Sequence, residues 1–404
     1  MKNTGVKSIG IKCPIIREGD DIVAIVSNAV LEATVREYSQ MDFGGTGRTL
    51  GYELNYKNQD VIGITESVVA RAAGLYVTVD EIAEDIKKKY GENAEILLSG
   101  VIFSRNRFSM ILKGVARAAK KITLYLTSGY DEVGNFVYNP FTHVDIVDYY
   151  KEICQSENCE FDVFDNLAGR QWADESGVIP VSFYMDKPVA LFSNILDCRL
   201  HSKLDREKLN EVYTGINNYY TLSDVCSDKN PDFGLLGTNK ATEEKLKLFP
   251  TVELAERVAQ GVKDAIKTKT GKDVNVLIYG DGCFHSPAIE GVDGSSIWEF
   301  ADPVTVPGHT HGILDGKPNE IKIKAFADDK YGDLKGKELE KAVKDEIKSK
   351  DANLVGNMDS QGTTPRRYVD LLASLCDLTS GSGDKGTPVV LIQDYFNNYS
   401  IDNG

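Results

Sequence analysis

Apolar positions along the chain fall into two spacings that alternate. Helical spacing marks "EGDDIVAIVSNAVLEATVREY" (18–38), whose acidic start suits a helix N-terminus. It also marks "TVELAERVAQGVKDAIKTKTGKD" (251–273), where Val252, Ala255, Val258, Ala259, Val262 and Ile266 share one face. "GKELEKAVKDEIKSK" (336–350) repeats the pattern with Leu339, Ala342, Val343 and Ile347 facing inward. Short apolar runs predict strands in "AEILLSGVIF" (94–103), "KKITLYLTS" (120–128) and "NVLIYGDGCF" (275–284), the last emptying into a Gly-Asp-Gly turn. "DVIGITESVVARAAG" (60–74) reads as a strand over Val61–Ile64, a turn, and a helix ending at Gly74. "RRYVDLLASLCDLTSGSGDKGTPVVLI" (366–392) reads as helix, glycine loop and strand.

The elements predict an α+β (mixed α/β) fold. Residues 128–272 differ in texture, being rich in turns, as in "YDEVGNFVYNPFTH" and "CSDKNPDFGLLGTNKATEEK". They are expected to form an insertion or second lobe between a first core part, 1–127, and a last one, 273–404, that carries the glycine loop. No repeat and no low-complexity tract breaks this plan.

Composition narrows the function. The chain has 404 residues, 42% of them hydrophobic and 26% charged, as in a globular protein. No apolar run approaches the ~18 residues of a membrane span, and charges interrupt the N-terminus before a secretory core accumulates. A cytoplasmic address and no membrane partner are expected. With 61 acidic against 46 basic side chains the net charge is −15, which repels nucleic-acid backbones; no nucleic-acid partner is expected. Nucleotides remain possible, since amide groups and bridging cations can hold their phosphates. Seven cysteines without a CxxC pair read as reduced core thiols, with Cys154 and Cys159 a weak metal-pair alternative.

Three segments carry candidate chemistry, each with a plainer reading beside it. In Thr379–Gly386, three glycines and Lys385 let backbone N–H groups approach an anion, or simply make a flexible connector; no Walker A pattern occurs anywhere. Asp281, at the end of a buried strand, suits Mg²⁺ or Mn²⁺, with Glu299 and Asp302 downstream, or else forms an ordinary Asp-Gly turn. Thr65, Glu66, Ser67 and Arg71 gather hydroxyls, helix amides and a guanidinium, or form a plain helix cap with Arg71 solvated. "GHTHG" (308–312) reads as a histidine loop without metal, and no hydrolase, zincin or dinucleotide fingerprint is present.

Together these segments resemble the coenzyme F(420)-0:L-glutamate ligase (γ-glutamyl ligase) family. The carriers are "PIIREGDDI", "DVIGITESVVARAAG", "VNVLIYGDG" and "YVDLLASLCDLTSGSGDKGTPVVLI", in order over roughly 11–125 and 270–395. The chain looks like a longer branch: a two-lobed ligase-like core with a large irregular insertion. The resemblance implies an amide-forming ligase that spends GTP or ATP with Mg²⁺ or Mn²⁺. It would join an amino acid, L-glutamate by family habit, to a small carboxylate acceptor such as F(420)-0 or a folate-like molecule, and would act as a homodimer. By position, Ile11, Lys12, Cys13 and Pro14 would line the nucleotide. Glu66 and Ser67 would meet phosphate, and Arg71 would replace the family lysine. Asp281 and Gly282 would stand at the metal, and Ser380, Gly381, Ser382, Gly383, Asp384, Lys385 and Gly386, through to Pro388, would form the nucleotide loop. The family's second metal aspartate falls at Ala116. Glu299, Asp302 or Asp328 is then expected to replace it, or Lys113 and Arg117 to hold phosphate directly. A nucleotide-binding regulator on a degenerate ligase fold is the alternative; a metal-dependent phosphohydrolase is a weaker one.

Overall fold

The computed structural model describes residues 5–33, 57–99, 108–126, 138–139, 143–165, 188–191, 219–222, 224–240, 244–279, 284–290, 296–301, 330–349, 368–380 and 386–396. The chain runs β1 (Lys7–Ile11), α1 (Ile22–Glu32), β2 (Val61–Thr65), α2 (Glu66–Ala72), β3 (Tyr76–Thr78) and α3 (Val79–Tyr90). It continues with β4 (Glu95–Ser99), α4 (Ser109–Ala118), β5 (Lys121–Leu126), β6 (Tyr138–Asn139), β7 (Val144–Asp145), α5 (Ile146–Ser156), β8 (Glu160–Asp165), β9 (Val189–Leu191) and β10 (Tyr219–Thr221). There follow β11 (Phe233–Lys240), β12 (Lys245–Pro250), α6 (Val252–Thr270), β13 (Asn275–Tyr279), β14 (Phe284–Glu290), β15 (Ser296–Ala301), α7 (Gly336–Ser349), α8 (Tyr368–Ser380) and β16 (Val389–Gln393). Helices and strands are interleaved over several sheets, an α+β fold. No helix among the described residues is long and apolar enough to cross a membrane.

The strand that matters most to the site is β2, which is buried along most of its length. It lies third in a four-stranded sheet of order β1-β16-β2-β13, parallel to β13 and antiparallel to β16. β13 and β16 are buried at every position, the mark of strands covered on both faces. Successive residues accordingly join different cores. Ile62, Ile64, Val276, Ile278, Val389 and Leu391 enter the main cluster, which also takes buried residues from α1, α2 and α6. Val61, Leu277, Tyr279, Val390 and Ile392 face α8 through Leu372, Ala373 and Cys376. The apolar runs read as strands are therefore strands because two layers cover them.

Two features of this layer refine the sequence expectations. β2 passes straight into α2 with no intervening turn, and α2 has only seven residues before Gly74 turns the chain at φ +66°. Gly63 allows α8 to come close: a Cβ there would lie 2.3 Å from Cys376 Sγ and 3.2 Å from its Cβ.

A second sheet of five strands is parallel throughout, in the order β10-β9-β4-β5-β8. Numbered by their succession in the chain, its strands lie 5-4-1-2-3, the doubly wound pattern. α4 connects β4 to β5, and α5 precedes β8. Most of this sheet falls within 128–272, a stretch whose turn-rich sequence conceals short parallel strands. A third sheet, β11-β12-β3, is antiparallel and ties the far end of that stretch to the beginning of the chain.

The close approach at Gly63 gives the first test. Gly63→Ala is expected to cost about 1–3 kcal/mol, the usual effect of overpacking a filled core. Shortening the opposing side chain, in Gly63→Ala with Cys376→Ala, should recover part of that loss. Urea unfolding of the single and double variants measures both, and equal stability of wild type and Gly63→Ala would show that α8 yields freely.

Candidate active site

Three segments singled out in the sequence end at one edge of the four-stranded sheet. Ile11, the last residue of β1, is paired with Val389, the first of β16. Val389 is paired in turn with Ile64, next to the end of β2. Tyr279, the end of β13, is paired with Thr65. Beyond the strands, Cys13 N donates to Gly386 O at 3.4 Å and Thr65 N to Pro388 O at 3.0 Å. Residues 11–14, 65–67 and 386–388 are thus brought side by side.

The glycine loop leaves and returns at this edge. α8 ends at Ser380, whose carbonyl accepts from Thr387 Oγ1 at 3.0 Å, and the side chains of Ser8 and Thr379 are bonded at 2.6 Å. Gly386 re-enters at φ +68°, a left-handed conformation suited to glycine. Gly381, Ser382, Gly383, Asp384 and Lys385 lie outside the described residues, as do Asp281, Gly282, Asp302, Asp328 and the "GHTHG" loop. Asp281 follows Tyr279 by two positions in the sequence. Glu299 belongs to β15, opposite Ser286 on β14.

Ile11 is buried; Lys12 and Pro14 are exposed, and Cys13 is half-buried. Burial pushes the Cys13 thiol up to about 11, so it is neutral near pH 7 and no thiolate nucleophile. Arg71 is exposed one turn into α2, with no ion pair among the described residues that would fix it elsewhere. Its charge is felt by Tyr76, whose phenol burial pushes up, Arg71 pulls down, and Glu18 and Glu66 push up further. These side chains therefore share one electrostatic neighbourhood.

Glu66 supplies the feature that the sequence did not disclose. It is only 2% exposed and pairs with Lys247 of β12, Nζ to Oε1 at 2.9 Å. The same ammonium donates to Ser67 Oγ at 3.0 Å and stands 5.5 Å from the centre of the Phe249 ring. Lys247 reaches Glu66 because β12 pairs with β3, Lys247 opposite Tyr76. The available signal was "LKLF" within β12, where Lys247 is flanked on both sides by apolar residues. A carboxylate buried without this cation would cost several kcal/mol, so Glu66 enters the site as half of a neutral pair.

One expectation is overturned. Lys113 and Arg117 are not held for phosphate. Arg117 grips Glu157 with two bonds, of 2.9 and 3.0 Å, and Asp80 with a third of 2.6 Å; Lys113 lies 3.9 Å from Glu157. These bonds raise the already high Arg117 pKa. Ala116 is buried in α4, the helix between β4 and β5, and thus belongs to the parallel sheet. Cys154 and Cys159 are buried free thiols, and the described residues contain no group of three or more metal-ligating side chains.

A family model described as F420-0:gamma-glutamyl ligase matches residues 10–394. The chain belongs to the F420-0:gamma-glutamyl ligase family. No curated protein matches it. Membership makes the chain a ligase of the γ-glutamyl type in broad terms, with ties to F420 biosynthesis. The match spans the parallel sheet as well as the four-stranded one, so a F420-0:gamma-glutamyl ligase of this length includes both.

The reassignment of Arg117 can be checked by substitution. Arg117→Ala should lower stability by about 1–3 kcal/mol, since it strands Glu157, while nucleotide affinity stays at the wild-type value. A variant of normal stability that no longer binds nucleotide would return Arg117 to the site.

Proposed function

We propose that the chain is a GTP- or ATP-dependent ligase joining L-glutamate to a carboxylate on a cofactor-like acceptor, F(420)-0 or a folate-like molecule. The observation that carries this reading is the meeting of residues 11–14, 65–67 and 386–388 at one sheet edge. These are the segments to which the family resemblance assigns the nucleotide. The edge offers backbone groups, the Ser67 hydroxyl and the exposed cations Lys12 and Arg71, the donor types that triphosphates need.

In the proposed reaction an acceptor carboxylate oxygen attacks the γ-phosphorus. The bond from that phosphorus to the bridging oxygen breaks, and the nucleoside diphosphate leaves. The glutamate amine then attacks the acyl carbon of the mixed anhydride. A C–N bond forms, the C–O bond to phosphate breaks, inorganic phosphate departs and the amine loses a proton. The acyl phosphate is already reactive, so the protein mainly orients partners and offsets charge. Asp281, with Gly282, Glu299 and Asp302, would hold Mg²⁺ or Mn²⁺, whose contribution is to neutralise phosphate charge. The reading extends to a homodimer that takes nucleotide, amino acid and acceptor as its partners.

The alternative of a nucleotide-binding regulator predicts binding without turnover. Incubation with GTP or ATP, glutamate and a panel of carboxylate acceptors, followed by mass detection, should reveal a product heavier by one glutamyl unit. Binding with no glutamate-stimulated phosphate release would favour the regulator. Phosphate release without an amine acceptor would favour a phosphohydrolase.

Two variants test the residues. Arg71→Ala should weaken nucleotide binding and leave the melting temperature nearly unchanged, because the side chain is exposed; normal affinity would make Arg71 a solvated helix residue. Asp281→Asn keeps the side chain's size but not its charge. It should fold normally, lose most metal-dependent turnover, and recover part of it as Mg²⁺ or Mn²⁺ is raised. Unchanged activity at limiting metal would remove Asp281 from the metal site.

A further inference from the structure

The ammonium of Lys247 determines what the Ser67 hydroxyl can do. A lysine ammonium has three donors and no acceptor, so in the 3.0 Å contact Ser67 Oγ must accept. The hydroxyl keeps one proton, and no acceptor among the described residues takes it. Ser67 is half-buried and stands two residues beyond Thr65, whose amide is tied to Pro388 at the sheet edge. A hydroxyl fixed as a donor there suits an anionic oxygen. The second bond of Lys247 goes to Glu66, so the cation adds no net charge to the pair. Stability alone gives little reason for such an arrangement, because buried ion pairs are often replaced by apolar groups without loss.

We propose that Lys247, delivered by β12 from the neighbouring sheet, is a positioning residue of the nucleotide site: it orients Ser67 as a hydrogen-bond donor to phosphate and neutralises Glu66 so that phosphate can approach. The inference rests on the nucleotide reading above and adds to it a residue from outside the segments of the family resemblance. Lys247 acts through Ser67 and Glu66; it is not itself the phosphate contact.

The test separates positioning from structure by keeping the net charge constant. Lys247→Met combined with Glu66→Gln removes one charge of each sign and leaves no stranded ion. Binding of Mg²⁺–tripolyphosphate, by calorimetry on the full chain, is the readout, beside the melting temperature. The double variant should melt within a few degrees of wild type yet bind tripolyphosphate about tenfold more weakly, the size expected for one hydrogen bond to a charged group. Ser67→Ala should cause a similar loss in the wild-type background and no further loss in the double variant, because the hydroxyl there is no longer oriented. Unchanged affinity in the double variant, or an equal Ser67→Ala effect in both backgrounds, would overturn the proposal; so would a wild type that does not bind tripolyphosphate. If the double variant does not fold, Ser67→Thr against Ser67→Ala decides: the hydroxyl-bearing variant should keep its affinity, and equal affinities would refute the assignment. A wild type that binds tripolyphosphate in this Ser67-dependent way but makes no amide would defeat the ligase reading and leave the positioning role intact.

Discussion

The register of the four-stranded sheet places Ile11, Val389, Ile64 and Ile278 level with one another, although Ile11 and Val389 stand near opposite ends of the chain. Everything assigned to the site depends on that alignment. A slip of one residue would turn each strand's core-facing side chains to the opposite face. Burial of both faces strongly penalises such a slip, since Val389 and Leu391 serve one core while Val390 and Ile392 serve the other. Gly63 fixes the distance of α8 from the sheet, and α8 in turn ends at Ser380, where the glycine loop begins. The loop's starting point is thus a consequence of packing.

Charge is the second constraint. Under the proposed function, a protein of net charge −15 must keep carboxylates from opposing the polyphosphate, or bridge them with cations. Glu66 lies between Thr65 and Ser67, where an unpaired carboxylate would be most harmful to an anion. Its pairing with Lys247 turns a repulsive group into a neutral support. In the proposed reading the cations that meet phosphate directly come from exposed positions, and Lys12 and Arg71 are exposed.

How far the sequence could be read depended on the range of the interactions involved. α6 was legible from its periodicity: Ala255, Val258, Ala259, Val262 and Ile266 of the expected stripe are buried, joined by Leu254. β13 and β16 were legible as unbroken apolar runs, and the order of strand, helix and loop around Gly74 and Gly386 followed from glycine placement. Local patterns place site segments such as 65–67 on the chain. The partner of Glu66 was not legible, because Lys247 lies 181 residues away and only the pairing of β12 with β3 brings it near. The parallel sheet was legible only in part: β4 and β5 read as strands, but β9 and β10 have three residues each, too few to show a period. Lys113 and Arg117 were misread because position along a motif says nothing about acidic neighbours on other helices. Glu157, which follows α5, and Asp80, on α3, claim Arg117.

The five-stranded sheet and the site are connected by more than chain continuity. The stretch leading into the parallel sheet departs from β3, and the stretch returning from it arrives through β11 and β12, with β12 paired to β3. The antiparallel sheet β11-β12-β3 therefore joins the chain segments that lead into and out of the parallel sheet. Its strand β12 also carries Lys247 to Glu66 and Ser67, and it contacts α2, the helix that begins with them. A chain in which β12 failed to dock would leave Glu66 buried without its cation and Ser67 without its orientation. Docking of β12 on β3 therefore does two things at once: it joins the segments on either side of the parallel sheet, and it supplies the cation that balances Glu66.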